Sequence, residues 1–282
     1  MNGDSQTRPG TRLGPYMLLE EIGSGASADV FLAEDRSGRV FAVKVRRRGQ
    51  AEMDRRFLRE FESMRLLRVP GVVQVHEAGI EDNVLWFSMD HVVGTPFPGA
   101  LVGSPAERVR ATIELGRKLC TVLASLHEAG FVHRDIKPTN VLVDDNNDVH
   151  VLDFGIGRYF GDHDTLSQTG EVLGTVPYMA PEQLAGLPSD HQVDLFAVGL
   201  MLHEAIAGPR ERPLTTVGWI PKICLERLPA LASLYREVPR GLSHLVGTLL
   251  SVDPGDRPTA RAASLELQRI GTGAESTEWP TA

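Results

Sequence analysis

The stretch His133-Arg134-Asp135-Ile136-Lys137-Pro138-Thr139-Asn140, followed by Asp153-Phe154-Gly155, decides how this chain reads. An Asp, a Lys two residues on and an Asn five residues on form a compact set. The carboxylate can orient a hydroxyl, the cation can meet developing phosphate charge, and the amide oxygen can ligate a metal. Between Asn140 and Asp153 lie the β-branched runs Val141-Leu142-Val143 and Val149-His150-Val151, which predict a hairpin. Asp153 then adds a second oxygen ligand suited to Mg²⁺, a cation that shares its shell with nucleotide phosphates.

Upstream, Gly23-Ser24-Gly25-Ala26-Ser27-Ala28-Asp29-Val30 lies between two predicted strands, where a Gly-rich turn can bring backbone N–H groups to phosphate oxygens. By itself it equally describes an ordinary hairpin loop. Ala42-Val43-Lys44 places an ammonium within an apolar strand. Short β-branched and aromatic runs at 16–22, 30–34, 40–45, 72–78 and 84–89 predict five antiparallel strands, interrupted by one helix over about 52–68. Beyond residue 94 the period turns helical. Ser104-Pro105-Ala106-Glu107 is a capping box opening a helix that Gly130 stops, and further helices are expected at 192–207, 220–227, 241–251 and 259–270.

Composition fits a folded globular chain: of 282 residues, 42% are hydrophobic and 23% charged. Lys plus Arg (29) against Asp plus Glu (37) leaves a net charge of −8, which argues against nucleic acid or an anionic membrane as the partner. The apolar stretch 193–207 holds Asp194, His203 and Glu204 and is too short to span a bilayer, so it reads as a buried helix. No signal-peptide pattern precedes it, and a cytoplasmic location is expected. Cys120 and Cys224 stand without CxxC spacing and read as buried hydrophobes. The basic residues Arg46, Arg47, Arg48, Arg55, Arg56 and Arg59 read as a solvated face ahead of a docking site for an acidic partner or a phosphorylated segment.

Together these segments resemble the protein-kinase family, specifically its bacterial serine/threonine members. The likeness runs from about Tyr16 to Ile270 and includes Gly174-Thr175-Val176-Pro177-Tyr178-Met179-Ala180-Pro181-Glu182, Asp194, Gly199 and Arg257. It implies an α+β bilobal fold: an N-lobe over 16–89 with a five-stranded antiparallel sheet and one helix, a hinge over 90–94, and a mainly helical C-lobe over 95–271. Flexible tails are expected at 1–15 and 272–282.

The resemblance also implies ATP and Mg²⁺, with Mn²⁺ as an alternative, and protein substrates bearing Ser or Thr. Lys44 would hold the α- and β-phosphates while paired with a helix glutamate, Glu60 ahead of Glu62. Asn140 and Asp153 would hold the metal, Asp135 would orient the substrate hydroxyl, and Lys137 would stabilise the transferring phosphoryl group. Thr175 would bond near Asp135 and Lys137. Ile22, Gly23, Ser24, Gly25, Ala26, Ser27 and Ala28 would cover the nucleotide. Val30, Ala42, Met89 and Leu142 would wall the adenine, and the backbone of Asp90 to Val92 would meet its edge. Arg134 beside Asp135 implies a phosphate in the activation segment, for which Ser167 and Thr169 are favoured and Thr165 is a third candidate. Glu182 and Arg257 would form a buried ion pair, and Asp194 would bond the backbone near His133 and Arg134.

Ala28 and Ser27 replace the usual third glycine and tip aromatic, which implies weaker nucleotide binding. Gly208 to Pro213 lacks the usual Pro-Pro-Phe, so substrate specificity does not carry over. The rival readings are a pseudokinase scaffold that binds nucleotide, and a small-molecule phosphotransferase; the second would not be expected to keep Thr175 to Glu182. Dimerisation through the β-rich lobe stays open.

Overall fold

The computed structural model describes residues 8–25, 28–153, 176–210 and 228–273. They fall into two compact units: Met1–Arg68 with Val72–Val92, and Val69–Gly71 with Val93–Ala282. The division at 92/93 falls inside the segment 90–94 expected to link a β-rich part to an α-rich one.

In the first unit, strands β1 (Arg12–Leu13), β2 (Tyr16–Ser24), β3 (Asp29–Glu34), β4 (Val40–Arg47), β5 (Val75–Glu81) and β6 (Val84–Asp90) form one antiparallel sheet in the order β1-β2-β3-β4-β6-β5. Six strands stand where five were expected. The extra one lies in the supposed tail 1–15: Leu13 is 2% exposed, and Gly14 donates its amide to Glu81 Oε1 at 2.9 Å. Two residues carry too little periodicity to announce a strand, so only the sheet reveals it.

β5 begins and ends three residues later than the sequence predicts. Gly79 reads as punctuation in sequence, yet it lies within the strand opposite Trp86, where an added Cβ would stand 2.5 Å from the indole. The strand ends instead at Asp82-Asn83, both with positive φ, the two-residue turn favoured by strand twist. One face of the sheet buries Leu18, Phe31, Phe41, Val43 and Trp86. Against β6 packs α1 (Ala51–Met64), whose Phe57 and Phe61 rings lie 5.0 and 5.8 Å from that of Phe87. This helix stops four residues earlier than predicted, and beyond its end the Arg68 side chain bonds the Arg65 and Leu67 carbonyls.

The second unit holds a small sheet of β7 (Thr95–Pro96), β8 (Val141–Val143) and β9 (Val149–Val151), with α2 (Pro105–Glu128), α3 (Pro181–Leu184), α4 (Gln192–Ala207), α5 (Leu231–Leu234), α6 (Arg240–Leu249) and α7 (Ala260–Gly271). The capping box at Ser104 forms: Glu107 returns its carboxylate to the Ser104 amide at 2.7 Å. α4 is buried along Val193–His203, as its unbroken apolar run implies. α2 meets α4 and α7 at Gly116, where a Cβ would come within 2.7 Å of Leu202. The helix expected over 220–227 and Cys224 lie outside the described residues.

Candidate active site

In the first unit the β2–β3 turn is closed by Gly25 N–H to the Ala28 carbonyl at 3.0 Å and by the Ser24 hydroxyl to Asp29 at 2.7 Å. Gly23 pairs with Val30, and Val30 pairs in turn with Lys44 on β4. Lys44 is therefore set directly across from the end of the glycine loop. Its ammonium donates to Glu60 Oε1 at 2.7 Å, with the two side chains 10% and 14% exposed. Glu60 lies within reach because Phe57 and Phe61, three residues before it and one after, seat the same face of α1 on Phe87. Glu62 points elsewhere and pairs with Arg65 on the surface.

Arg46 follows Lys44 by two residues, so the two share one face of β4. It bonds Asp54 and Gln50 at 3.3 and 3.2 Å and is 9% exposed, which corrects its reading as part of a solvated face. Ala42 and Met89 are buried and paired across β4 and β6. Ile22 is 45% exposed, and Val30 is half-buried. The Asp90 amide is committed to the Gln74 carbonyl at 2.9 Å, so it is not the group that would meet a ligand edge. His91 and Val92 are half-buried.

In the second unit, Asp135 is held from several sides. Lys137 Nζ donates to its Oδ2 at 2.7 Å, and Asn140 Nδ2 lies 2.9 Å from both that oxygen and the Asp135 carbonyl. Asp135 Oδ1 is buried and accepts no hydrogen bond among the described residues. Asn140 and Asp153 flank the same end of the β8–β9 hairpin, whose Val141 and Val151 are direct partners, and Leu152 N–H donates to the Asn140 carbonyl at 2.9 Å. Leu142, between them, is half-buried.

Beneath this loop, Asp194 on α4 accepts the amides of His133 at 2.9 Å and Arg134 at 2.7 Å, and its Oδ2 lies 2.9 Å from His127 Nε2. Burial pushes the Asp194 carboxyl up, but the His127 bond and charge and the His133 interactions outweigh it and hold it below the usual carboxylate range. Arg257 closes a two-bond fork on Glu182 at 2.6 and 2.9 Å. Tyr178 and Arg210 both bond Glu204 at 2.6 Å, contacts the sequence reading missed. Only the proximity of Arg210 to the end of α4 could have signalled them.

The donor set fits Mg-ATP. No cluster of three or more His, Cys, Asp or Glu exists among the described residues, whereas Mg²⁺ takes one or two protein oxygens and fills its shell from phosphate and water. Asn140 commits its amide hydrogens to Asp135, which leaves its oxygen for such a cation. Ala26, Ser27, Thr165, Ser167, Thr169 and Thr175 lie outside the described residues, as do Phe154, Gly155 and Gly174.

An antiparallel sheet with a Lys–Glu pair, and a second unit whose loop assembles Asp, Lys and Asn, are the features of the protein-kinase class. The family model described as protein kinase domain matches residues 16–266, and the chain belongs to that family. A probable serine/threonine-protein kinase of Clostridium perfringens is 30% identical over 264 residues, covering 90% of this chain and 38% of its own. Serine/threonine-protein kinase PrkC of Bacillus subtilis is 34% identical over 199 residues, 69% of this chain and 31% of its own. Serine/threonine-protein kinase PknE of Mycobacterium bovis is 27% identical over 261 residues, 91% of this chain and 46% of its own. The chain thus spans between about a third and a half of the length of these relatives.

Proposed function

We propose that this chain is a serine/threonine protein kinase that moves the γ-phosphoryl group of ATP to protein hydroxyls. The observation that carries the reading is Asp135 itself: one carboxylate oxygen is fixed by Lys137 and Asn140, and the other is buried and accepts no hydrogen bond among the described residues. Such an oxygen is suited to accept the proton of a Ser or Thr hydroxyl as that oxygen bonds to the γ-phosphorus and the β–γ bridging bond breaks. Lys137 would then balance charge at the phosphoryl oxygens. Lys44, oriented by Glu60, would hold the α- and β-phosphates, and Asn140 and Asp153 would hold Mg²⁺, with Mn²⁺ as an alternative. The metal, when bound, neutralises phosphate charge. These groups work by position and charge, which is what a loose phosphoryl transition state requires.

The named serine/threonine kinases among the relatives support this reading, and nothing in them supports a nucleotide-binding scaffold that lacks transfer. Autophosphorylation at Ser167 or Thr169, with Thr165 as a third site, a cytoplasmic location for this part of the chain and association through the β-rich unit belong to the same proposal. The test is incorporation of labelled γ-phosphate from Mg-ATP into the chain and into a generic basic acceptor protein. Wild type is expected to label Ser and Thr, and Asp135→Asn to lose at least about a thousandfold in rate. ATP-stabilised wild type with no incorporation into either acceptor would overturn the reading.

A further inference from the structure

Asp135 is preceded by a residue in the left-handed region: Arg134 has φ 66°. A non-glycine residue there costs free energy and persists where its surroundings over-determine it. The surroundings are visible. Arg134 N–H is taken by Asp194. The next peptide plane, which joins Arg134 to Asp135, is held at both edges. Its N–H donates to His133 Nδ1 at 3.2 Å, which sets the ring proton on Nε2, facing the Leu152 carbonyl at 2.7 Å. Its carbonyl oxygen, on Arg134, accepts Gln183 Nε2 at 3.2 Å.

Gln183 is 8% exposed and sits on α3, just after the Glu182 that Arg257 anchors. The opposite end of its amide is also occupied, Oε1 accepting the Ala180 N–H at 3.0 Å. These two bonds fix which end of the amide faces Arg134. Rotation of the 134–135 peptide would change the backbone angles on both sides of it and swing the Asp135 side chain with them. We infer that Gln183 is a positioning residue for Asp135: its amide N–H fixes the 134–135 peptide plane that follows the strained Arg134, and so ties the aim of the Asp135 carboxylate to the anchored α3 segment.

The inference rests on the kinase reading for its kinetic consequence and on the backbone alone for its structural one, so the experiment measures both. Gln183→Met keeps the length of the side chain and removes both bonds. Gln183→Glu keeps an acceptor for Ala180 N–H and removes the donor to Arg134. Both variants are expected to lose about tenfold or more in kcat, because small misplacements of a catalytic group are costly. KM for ATP should stay unchanged, and the loss in kcat should persist at temperatures where circular dichroism shows each variant fully folded, since a carboxylate at this buried position is itself expected to lower the melting temperature. Crystal structures of both variants should show the 134–135 peptide rotated. Wild-type kcat in Gln183→Glu would overturn the inference, as would a loss confined to melting temperature. An unmoved peptide plane in both variants would overturn it even if wild type proved unable to transfer phosphate, whereas a rotated plane in an inactive wild-type background would leave it standing and count against the kinase reading alone.

Discussion

Replacing Arg257 by Met leaves a buried carboxylate behind. The Arg257 side chain is 0% exposed and makes the fork to Glu182, bonds to the Ser251 and Gln192 carbonyls at 2.9 and 3.0 Å, and a stacking contact with its guanidinium 4.9 Å from the centre of the Phe196 ring. Met restores most of the apolar volume and none of the donors. Glu182, itself 6% exposed, then loses both charge-assisted bonds while largely buried. Breaking a buried pair from one side costs about 3–5 kcal/mol. At roughly 2–4 °C per kcal/mol for chains of this size, melting should fall by about 6–20 °C. The double variant Glu182→Leu with Arg257→Met removes the stranded charge as well, and should recover at least about 1 kcal/mol of the loss. Thermal and urea unfolding followed by circular dichroism would read both. A loss under about 1 kcal/mol in Arg257→Met, or strict additivity in the double variant, would refute the argument that the pair matters through the unpaired charge.

Glu60→Gln should keep α1 seated on Phe87 while weakening its hold on Lys44, raising KM for ATP by about tenfold; steady-state kinetics with unchanged KM would show that Lys44 is oriented by something else. The Asp194 carboxyl is held below its usual range, so it contributes stability that is present above about pH 4 and is lost as pH falls through its folded-state value. Melting curves between pH 5 and pH 3 should therefore fall more steeply for wild type than for Asp194→Asn, and parallel curves would contradict this. Burial pushes the Cys120 thiol up to about 12. Peptide mapping after brief native treatment with a thiol reagent should find Cys120 unmodified until denaturant is added, and native labelling would show that α2 opens readily.

The loop from His133 to Asn140 was legible because its chemistry is local. Asp135, Lys137 and Asn140 lie within six residues, and their side chains converge through one turn of backbone. The capping box at Ser104 and the apolar run of α4 were legible for the same reason, since each is written in neighbouring residues. The Lys44–Glu60 pair was legible only through the family resemblance. Sixteen residues separate the partners, and only the position that the resemblance implies put Glu60 ahead of Glu62. The choice is made by Phe57 and Phe61, whose packing on Phe87 turns Glu60 toward β4 and leaves Glu62 in solvent.

What the sequence by itself determined is which functional groups exist and which are close along the chain: the loop from His133 to Asn140, the alternation that makes β4 a strand, and the period that makes α2 and α4 helices. Tertiary structure alone decided which distant groups meet. Arg46 found Asp54 instead of water, Leu13 joined a sheet that its two-residue strand does not announce, and Gln183 reached the carbonyl of Arg134 across 49 positions. Hydrogen bonds and ion pairs act over a few ångströms, and sequence patterns report only the faces of single elements. Pairings between elements follow from how those faces pack, and packing is a property of the whole fold.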